Sequence, residues 1–435
     1  MDNIIKGDPT KEFFIDMLTR DIRLDRAIID LVDNSIDGAK SRKRNDYSGL
    51  EVDIRLESNR FIISDNCGGF SLDTAIQYAF RFGRPAKAKF VDNSIGRFGV
   101  GMKRALFKIG RHFTVESKHD KDHFLVEVDV KQWLTKPDNW NFTYVEKENI
   151  PNEKSNLNGV NGTVIVVDDL YENIASQFGD NAFKNELEKE LSLALSYSIL
   201  KKLTVSLNGK KIIRKDIGFL ESKQLKPLYK EMDRDGVKIK IYAGIGEPIP
   251  SEAGWYIFCN DRLVLEADKS YTTGWKENKD DEASIIKYHN KQAMFRGVIF
   301  FESKNSSKLP MTTTKTGIDF DHNIYKVTRP EILAAMRQVT NFLNKIDDKD
   351  VRSEMVVNSE KVNITELSEK TINYSNVFTY PVLEKANKEN KFASISYSKD
   401  KVLVEQLKNF LNVSTGKEVG EKTFDFFIET YKNEL

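Results

Sequence analysis

The chain has 435 residues, with 67 Lys and Arg against 66 Asp and Glu, for a formal net charge of +1. That length predicts two or three domains, and 40% hydrophobic with 31% charged residues excludes a disordered chain. Near-zero charge excludes a basic coat for nucleic acid over the whole surface, though not a local basic patch. The two cysteines, Cys67 and Cys259, form no C-x-x-C pair, so neither a structural zinc site nor a disulfide framework is expected. No apolar run approaches the ~20 residues that span a bilayer, and the first residues carry no signal-peptide pattern. The expectation is a cytoplasmic protein with no membrane partner.

In chain order, residues 11–40 have helical periodicity, with Ile28, Ile29, Leu31, Val32 and Ile36 as the apolar positions. Residues 51–57 alternate strictly, turn at 58–60 and re-enter an apolar run at 61–63, which predicts a hairpin. Residues 81–98 are basic and small-polar and read as a mobile loop opening a helix at about 100–109. Strands are expected near 112–130, 142–146 and 162–167. A long helix is expected over 186–201, then a strand at 204–207 with an Asn208-Gly209 turn, and strands at 237–243, 255–259 and 296–302. The tail reads as a short strand at 393–398 and helices at 401–411 and 417–431.

Four local patterns carry chemistry. In the helical segment 25–40, Asp30, Asp33, Asn34 and Asp37 fall on one arc of roughly 100° while the other positions are mostly apolar. Such a stripe is either a solvent face or a polar surface that needs a ligand, a network or a metal. Asp65-Asn66-Cys67-Gly68-Gly69 follows a strand; it is a turn, or a place where backbone approaches a planar ligand beside one carboxylate. In Gly96-Arg97-Phe98-Gly99-Val100-Gly101-Met102-Lys103 the glycines stand at a loop-to-helix junction, where free N–H groups can meet phosphate oxygens. Gly162-Thr163 opens an apolar strand and is uninformative alone.

In this order and spacing the four patterns resemble the motif set of the GHKL ATPases: gyrase-type topoisomerases, MutL proteins, heat-shock chaperones and histidine kinases. The resemblance implies an α/β fold with a Bergerat ATP-binding sandwich over residues 1–175. A ribosomal-protein-like α/β transducer would follow at 176–345, then a linker and a small, mostly helical C-terminal region at 346–435. It implies ATP and Mg²⁺ as ligands. Asn34 would hold the Mg²⁺. Asp65 would accept the adenine amino group, helped by Thr163, with Gly69 allowing close approach. Gly96, Gly99, Val100, Gly101 and Met102 would form the phosphate cradle and lid hinge.

Asp30 stands where these ATPases usually have a glutamate that orients the attacking water. It is one methylene shorter, about 1.5 Å less reach, so slow turnover is expected. Cys67 replaces a glycine of the usual motif and reads as a small buried residue. Lys315, in Pro310-Met311-Thr312-Thr313-Thr314-Lys315-Thr316-Gly317, resembles the lysine that reaches the γ-phosphate and is preferred over Lys308; the simpler reading is an exposed lysine.

A lysine loop of that kind, with Gly254–Val264, resembles the MutL branch and the related MORC ATPases. That resemblance implies an ATP-gated homodimeric clamp in DNA repair, restriction or phage defence, with DNA or a DNA-processing protein as partner. A chaperone-like or nucleotide-sensing regulatory protein that binds protein partners is the alternative. Lysines and acids balance over 384–435, so electrostatics gives the tail no reason to bind DNA. Its strand–helix–helix order resembles a ribbon-helix-helix. Packing of Phe424, Phe427, Ile428 and Tyr431 on another helix or a second subunit is the plainer account.

Overall fold

A computed structural model of the chain describes residues 9–43, 46–83, 100–146, 150, 157, 159–276, 285–312, 314–346, 349–381, 395–432 and 434. Contacts group residues 1–381 into one unit and 382–435 into another.

The first unit begins with helices α1 (Lys11–Arg20) and α2 (Leu24–Arg42). Thr10 caps α1 by accepting from the Phe13 amide, and Lys11 fastens the helix by donating to the Trp133, Lys136 and Asn139 carbonyls. Strands β1 (Glu51–Leu56) and β2 (Phe61–Asp65) form the expected hairpin, and their alternate residues Val52, Ile54, Leu56, Phe61 and Ile63 are buried. The chain continues through the short helix α3 (Leu72–Thr74), a π-helical turn at Ala75–Ala79, helix α4 (Gly101–Ile109), strands β3 (Gly110–His119) and β4 (Asp122–Asp129), helix α5 (Val130–Leu134), and strands β5 (Tyr144–Glu146) and β6 (Gly162–Leu170).

The order of the first sheet is β5-β4-β3-β6-β2-β1-β7-β8. Its last two strands, β7 (Thr204–Leu207) and β8 (Lys210–Lys211), lie beyond residue 175, and β7 runs parallel to β1. They turn through Asn208 and Gly209, both in the left-handed region, as an Asn-Gly hairpin requires. Helices α2 and α4 pack on each other, and Ile28, Val32, Leu106 and Phe107 join Ile54, Phe113, Ile165 and Val167 of the sheet in one core. Full burial of each such side chain contributes ~1.5–3 kcal/mol.

Helix α6 (Glu172–Gly179) precedes α7 (Asn181–Ala194) and α8 (Ser196–Leu200). One helix was expected over 186–201; the chain instead breaks at Leu195, whose φ of −103° and ψ of 6° leave the helical region.

Strand β9 (Gly218–Glu221) precedes a second sheet of order β10-β11-β14-β12-β13. Its strands are β10 (Leu228–Arg234), β11 (Val237–Ile245), β12 (Gly254–Cys259), β13 (Arg262–Asp268) and β14 (Phe295–Glu302). All neighbours are antiparallel except β12 and β14. Helix α9 (Asn323–Lys345) packs on β11 and β14. The chain then forms α10 (Lys349–Val357), β15 (Glu360–Asn363), which pairs with β9, and α11 (Ile364–Glu369).

The second sheet is fastened to α2 through the β12–β13 turn. Asn260 and Asp261 are both left-handed there. The Asn260 carboxamide exchanges hydrogen bonds with Ser303, and its carbonyl accepts from Lys40 Nζ at 2.8 Å. Asp261 pairs with Lys201 at 2.9 Å and Lys40 at 3.3 Å. Burial opposes the charge of Asp261, but the two ammonium groups overcome it and hold its carboxyl below the usual carboxylate range.

The second unit is a hairpin of α12 (Lys401–Leu411) and α13 (Gly416–Thr430). Thr415 and Glu418 form a capping box that starts α13. Of the strand expected at 393–398, residues 393–394 lie outside the described residues and 395–398 belong to no strand. An isolated alternating run has no ladder to join, and alternation alone does not make a strand. Val419 is the one buried residue among those described in this unit, while Phe410, Phe424, Phe426 and Phe427 are exposed. Among the described residues no helix is long and apolar enough to cross a membrane.

Candidate functional site

A cavity of about 390 Å³ opens between α2, the β2 end, the π-helical turn, the start of α4 and β6. That volume lies in the range of small-molecule sites, roughly 300–1,000 Å³. Asp30, Asn34, Asp65, Gly69, Val100, Gly101, Met102, Thr163 and Lys315 all line it. Gly96 and Gly99, with most of the loop 81–98, lie outside the described residues.

One end sets a carboxylate among apolar side chains. Asp65 is the last residue of β2; its Oδ2 accepts from Ser35 Oγ at 2.7 Å and its Oδ1 from the Cys67 amide at 2.8 Å. Burial nevertheless raises its carboxyl above the usual range, outweighing those bonds and one from the Thr163 amide. Such a carboxylate gains from any additional donor. Leu31, Ile63 and Ile165 supply apolar walls. Gly69 is left-handed, and a Cβ there would lie 2.2 Å from the Lys118 carbonyl oxygen, so only glycine fits. Gly162 is equally confined: a Cβ would sit 1.9 Å from the Asp65 carbonyl oxygen. Cys67 is buried, and burial pushes its thiol up, which leaves it inert as a nucleophile.

The other end is charged. Asp30 and Asp33 are 3% and 0% exposed, so the acidic stripe of α2 is not a solvent face at these positions. Arg104 Nη2 donates to Asp30 Oδ2 at 2.6 Å. Lys315 Nζ lies 3.1 Å from Asp30 Oδ1 and 2.7 Å from Asp33 Oδ2. Arg262, fully buried, brings Nη1 within 3.8 Å of Asp33 Oδ1.

Burial alone would raise Asp30, but the Lys315 and Arg104 charges overcome it and hold the carboxyl below its ordinary range. Burial likewise works against Lys315, and Asp30 and Asp33 overcome it and hold its ammonium above the usual lysine range. Lys315 is therefore not an exposed lysine. A turn closed by the Lys315 amide on the Thr312 carbonyl presents it, with a left-handed φ of 55°.

Lys103, also buried, donates to the Ala79 carbonyl at 2.7 Å, and burial lowers its ammonium to about 7. Asn34 is exposed within the cavity. Among the described residues no group of three or more His, Cys, Asp or Glu could hold a metal. His119 and His123 do stand four apart, but the β3–β4 turn separates their partners: His119 meets the Gly68 carbonyl and His123 meets Glu116. Asn34 would offer one carboxamide oxygen from the cavity lining, a donor class that suits Mg²⁺, which keeps several waters and shares itself between few protein ligands and substrate phosphates.

Sequence reasoning missed Ser35, Lys103, Arg104 and Arg262 as parts of the site. Lys103 and Arg104 fall in the first turn of the helix that the glycine pattern predicts, which was a usable signal. Arg262 stands in the Gly254–Val264 segment, where with Asn260 it reads as a structural turn residue, yet it reaches Asp33; Ser35 carried no signal.

Residues 22–158 match the family described as histidine kinase-, DNA gyrase B-, and HSP90-like ATPase. The match supports the GHKL superfamily for this segment and, with it, ATP binding; the eight-stranded mixed sheet is consistent with that fold. The matched segment ends before Thr163 and Lys315. No curated protein matches the chain.

Proposed function

We propose that the chain is a Mg²⁺-dependent, slowly hydrolysing ATPase that works as an ATP-gated switch. The observation that carries this reading is Lys315: it comes from the second-sheet region yet reaches the cavity floor formed by α2. Asp65 would read the adenine amino group, Asn34 would hold Mg²⁺ against the phosphates, and the α4 N-terminus with Lys103 would meet phosphate oxygens. When bound, Mg²⁺ supplies charge neutralisation on the phosphates. Lys315 would leave its carboxylates for the γ-phosphate and stabilise charge in the transition state.

In this account the second sheet is a transducer of the MutL and MORC kind. The fastening of Asn260 and Asp261 to α2 supports it, because it ties the second sheet to the helix whose carboxylates hold Lys315. The exposed phenylalanines of α12 and α13 support self-association. The resemblance to the MutL and MORC branch is what supports the cellular role in this reading, an ATP-dependent homodimeric clamp acting on DNA or a DNA-processing protein in repair, restriction or phage defence. One observation favours the nucleotide-sensing alternative: both oxygens of Asp30 are held by cations, which weakens it as a base.

The test measures ATP turnover and, separately, molecular mass with and without a non-hydrolysable ATP analogue. Measurable slow turnover with a mass increase on analogue binding is expected. An unchanged mass defeats the clamp, and binding without turnover leaves the sensor.

A further inference from the structure

Asp30 is shared unequally between two elements. Its Oδ2 is taken by Arg104 of α4 at 2.6 Å, and its Oδ1 by Lys315 at 3.1 Å. The two cations differ in freedom. Arg104 sits one turn into a helix that packs directly on α2, and a Cβ at Gly101 would already touch Asp30 Oδ2 at 3.4 Å. Lys315 stands on a loop and has a second carboxylate, Asp33, at 2.7 Å. The first contact is therefore built into the packing of two helices, whereas the second can exchange.

Side-chain length matters here. A glutamate at position 30 would carry its carboxylate about 1.5 Å further and could not keep the present contact unless Arg104 withdrew. Asp30 and Arg104 fit as a pair.

We infer that Arg104 is a positioning residue for Asp30: it fixes Oδ2 and so leaves Oδ1 as the one oxygen that can accept a proton from water once Lys315 has moved to the phosphate. The inference rests on the ATPase reading above. In hydrolysis the water oxygen bonds to the γ-phosphorus, and the bond from that phosphorus to the β,γ-bridging oxygen breaks. The electron pair leaves with ADP, and a water proton passes to Oδ1 and on to solvent. While Lys315 occupies Oδ1 this acceptor is closed, so the same contact that holds the resting site also silences it. Arg104 supplies orientation that the short side chain of Asp30 cannot supply alone, and misplacement on the order of 1 Å costs about 100-fold in rate.

The test compares Arg104→Ala and Arg104→Lys with the wild-type full chain. It follows steady-state ATP hydrolysis, affinity for a fluorescent ATP analogue, and the thermal midpoint. Arg104→Ala is expected to lower kcat about 10- to 100-fold while KM and analogue affinity change less than about 3-fold. Its acid limb in the pH profile of kcat should move upward, because Asp30 loses a cation. Arg104→Lys, which keeps charge and core volume, should fold even where the alanine variant does not, and should recover part of kcat.

A kcat unchanged in both variants overturns the inference. So does a parallel fall of kcat, affinity and thermal midpoint in Arg104→Lys, which marks a merely structural pair. So does ATP turnover below detection in a wild-type chain that binds the analogue in the separate titration. Failure of the wild type to bind the analogue at all defeats the nucleotide reading itself, and is seen separately.

Discussion

Lys315 Nζ donates to Asp33 Oδ2 at 2.7 Å although 282 residues separate the two in the chain. The bond joins the loop that follows the second sheet to the helix that floors the cavity, so the site is complete only when both parts of the first unit are in place. Asp33 shares the lysine with Asp30, whose Oδ1 lies 3.1 Å from Nζ, and gives it a second carboxylate to return to. Removing the cation leaves two buried carboxylates with, among the described residues, Arg104 and Arg262 as their remaining cationic contacts, and breaking a buried pair costs ~3–5 kcal/mol. Lys315→Met is accordingly expected to lower the thermal midpoint clearly and to reduce ATP turnover by about 100-fold or more, while ATP-analogue affinity falls much less. Calorimetry and steady-state kinetics check the two effects.

The glycines give a sharper contrast. Gly69→Ala places a Cβ 2.2 Å from the Lys118 carbonyl oxygen at a left-handed position; Gly49 is also left-handed, but a Cβ there meets nothing within 4 Å. Gly49→Ala should cost only about 1 kcal/mol. Gly69→Ala should cost about 2–4 kcal/mol through overpacking and strain and should abolish nucleotide binding. Urea unfolding with a binding titration on both variants checks this.

Two groups set an expected pH profile for nucleotide affinity. Lys103, lowered to about 7 by burial, is neutral on the alkaline side and gains its charge as pH falls. Asp65 has its carboxyl raised by burial, so it protonates and loses its acceptor at a higher pH than an ordinary aspartate. Affinity should therefore rise as pH falls through about 7, then fall again on the acid side. Lys103→Met should remove the alkaline limb alone. Titrations of an ATP analogue from pH 5 to about 9 read both limbs.

Much of the cavity was legible because its parts are local. The alternation of Val52, Ile54 and Leu56 gave β1, the apolar spacing of Ile28, Val32 and Ile36 gave the buried face of α2, and Asp65 with Gly69 marked the end of β2. What sequence could not supply was pairing across distance. Nothing in Thr204–Leu207 says that it adds parallel to β1, beyond the expected edge of the first domain. Nor does the sequence near Arg104 say that its guanidinium meets Asp30, because that contact depends on how α4 lies on α2. The tail shows the opposite error: residues 395–398 alternate, yet among the described residues no strand pairs with them.

The seam between the sheets makes a further prediction. Asp261 is held below the usual carboxylate range in the folded chain, so the stability it contributes is present above an unfolded pKa of about 3.9 and is lost as pH falls through its lower folded value. Asp261→Asn leaves Lys40 and Lys201 without their shared anion. It should lower stability at neutral pH by about 3 kcal/mol or more and flatten the acid dependence. Thermal midpoints between pH 3 and about 7 for both proteins test it.

The most direct measurement of the central claim is a calorimetric titration of Mg-ATP and Mg-GTP into the full chain and into Asn34→Ala and Asp65→Asn. ATP is expected to bind in preference to GTP, and each substitution is expected to weaken ATP by about 10- to 100-fold, the worth of one hydrogen bond to a charged group, while both variants keep the wild-type thermal midpoint within a few degrees. Equal binding of ATP and GTP, or ATP binding that both substitutions leave intact, would contradict the assignment of this cavity.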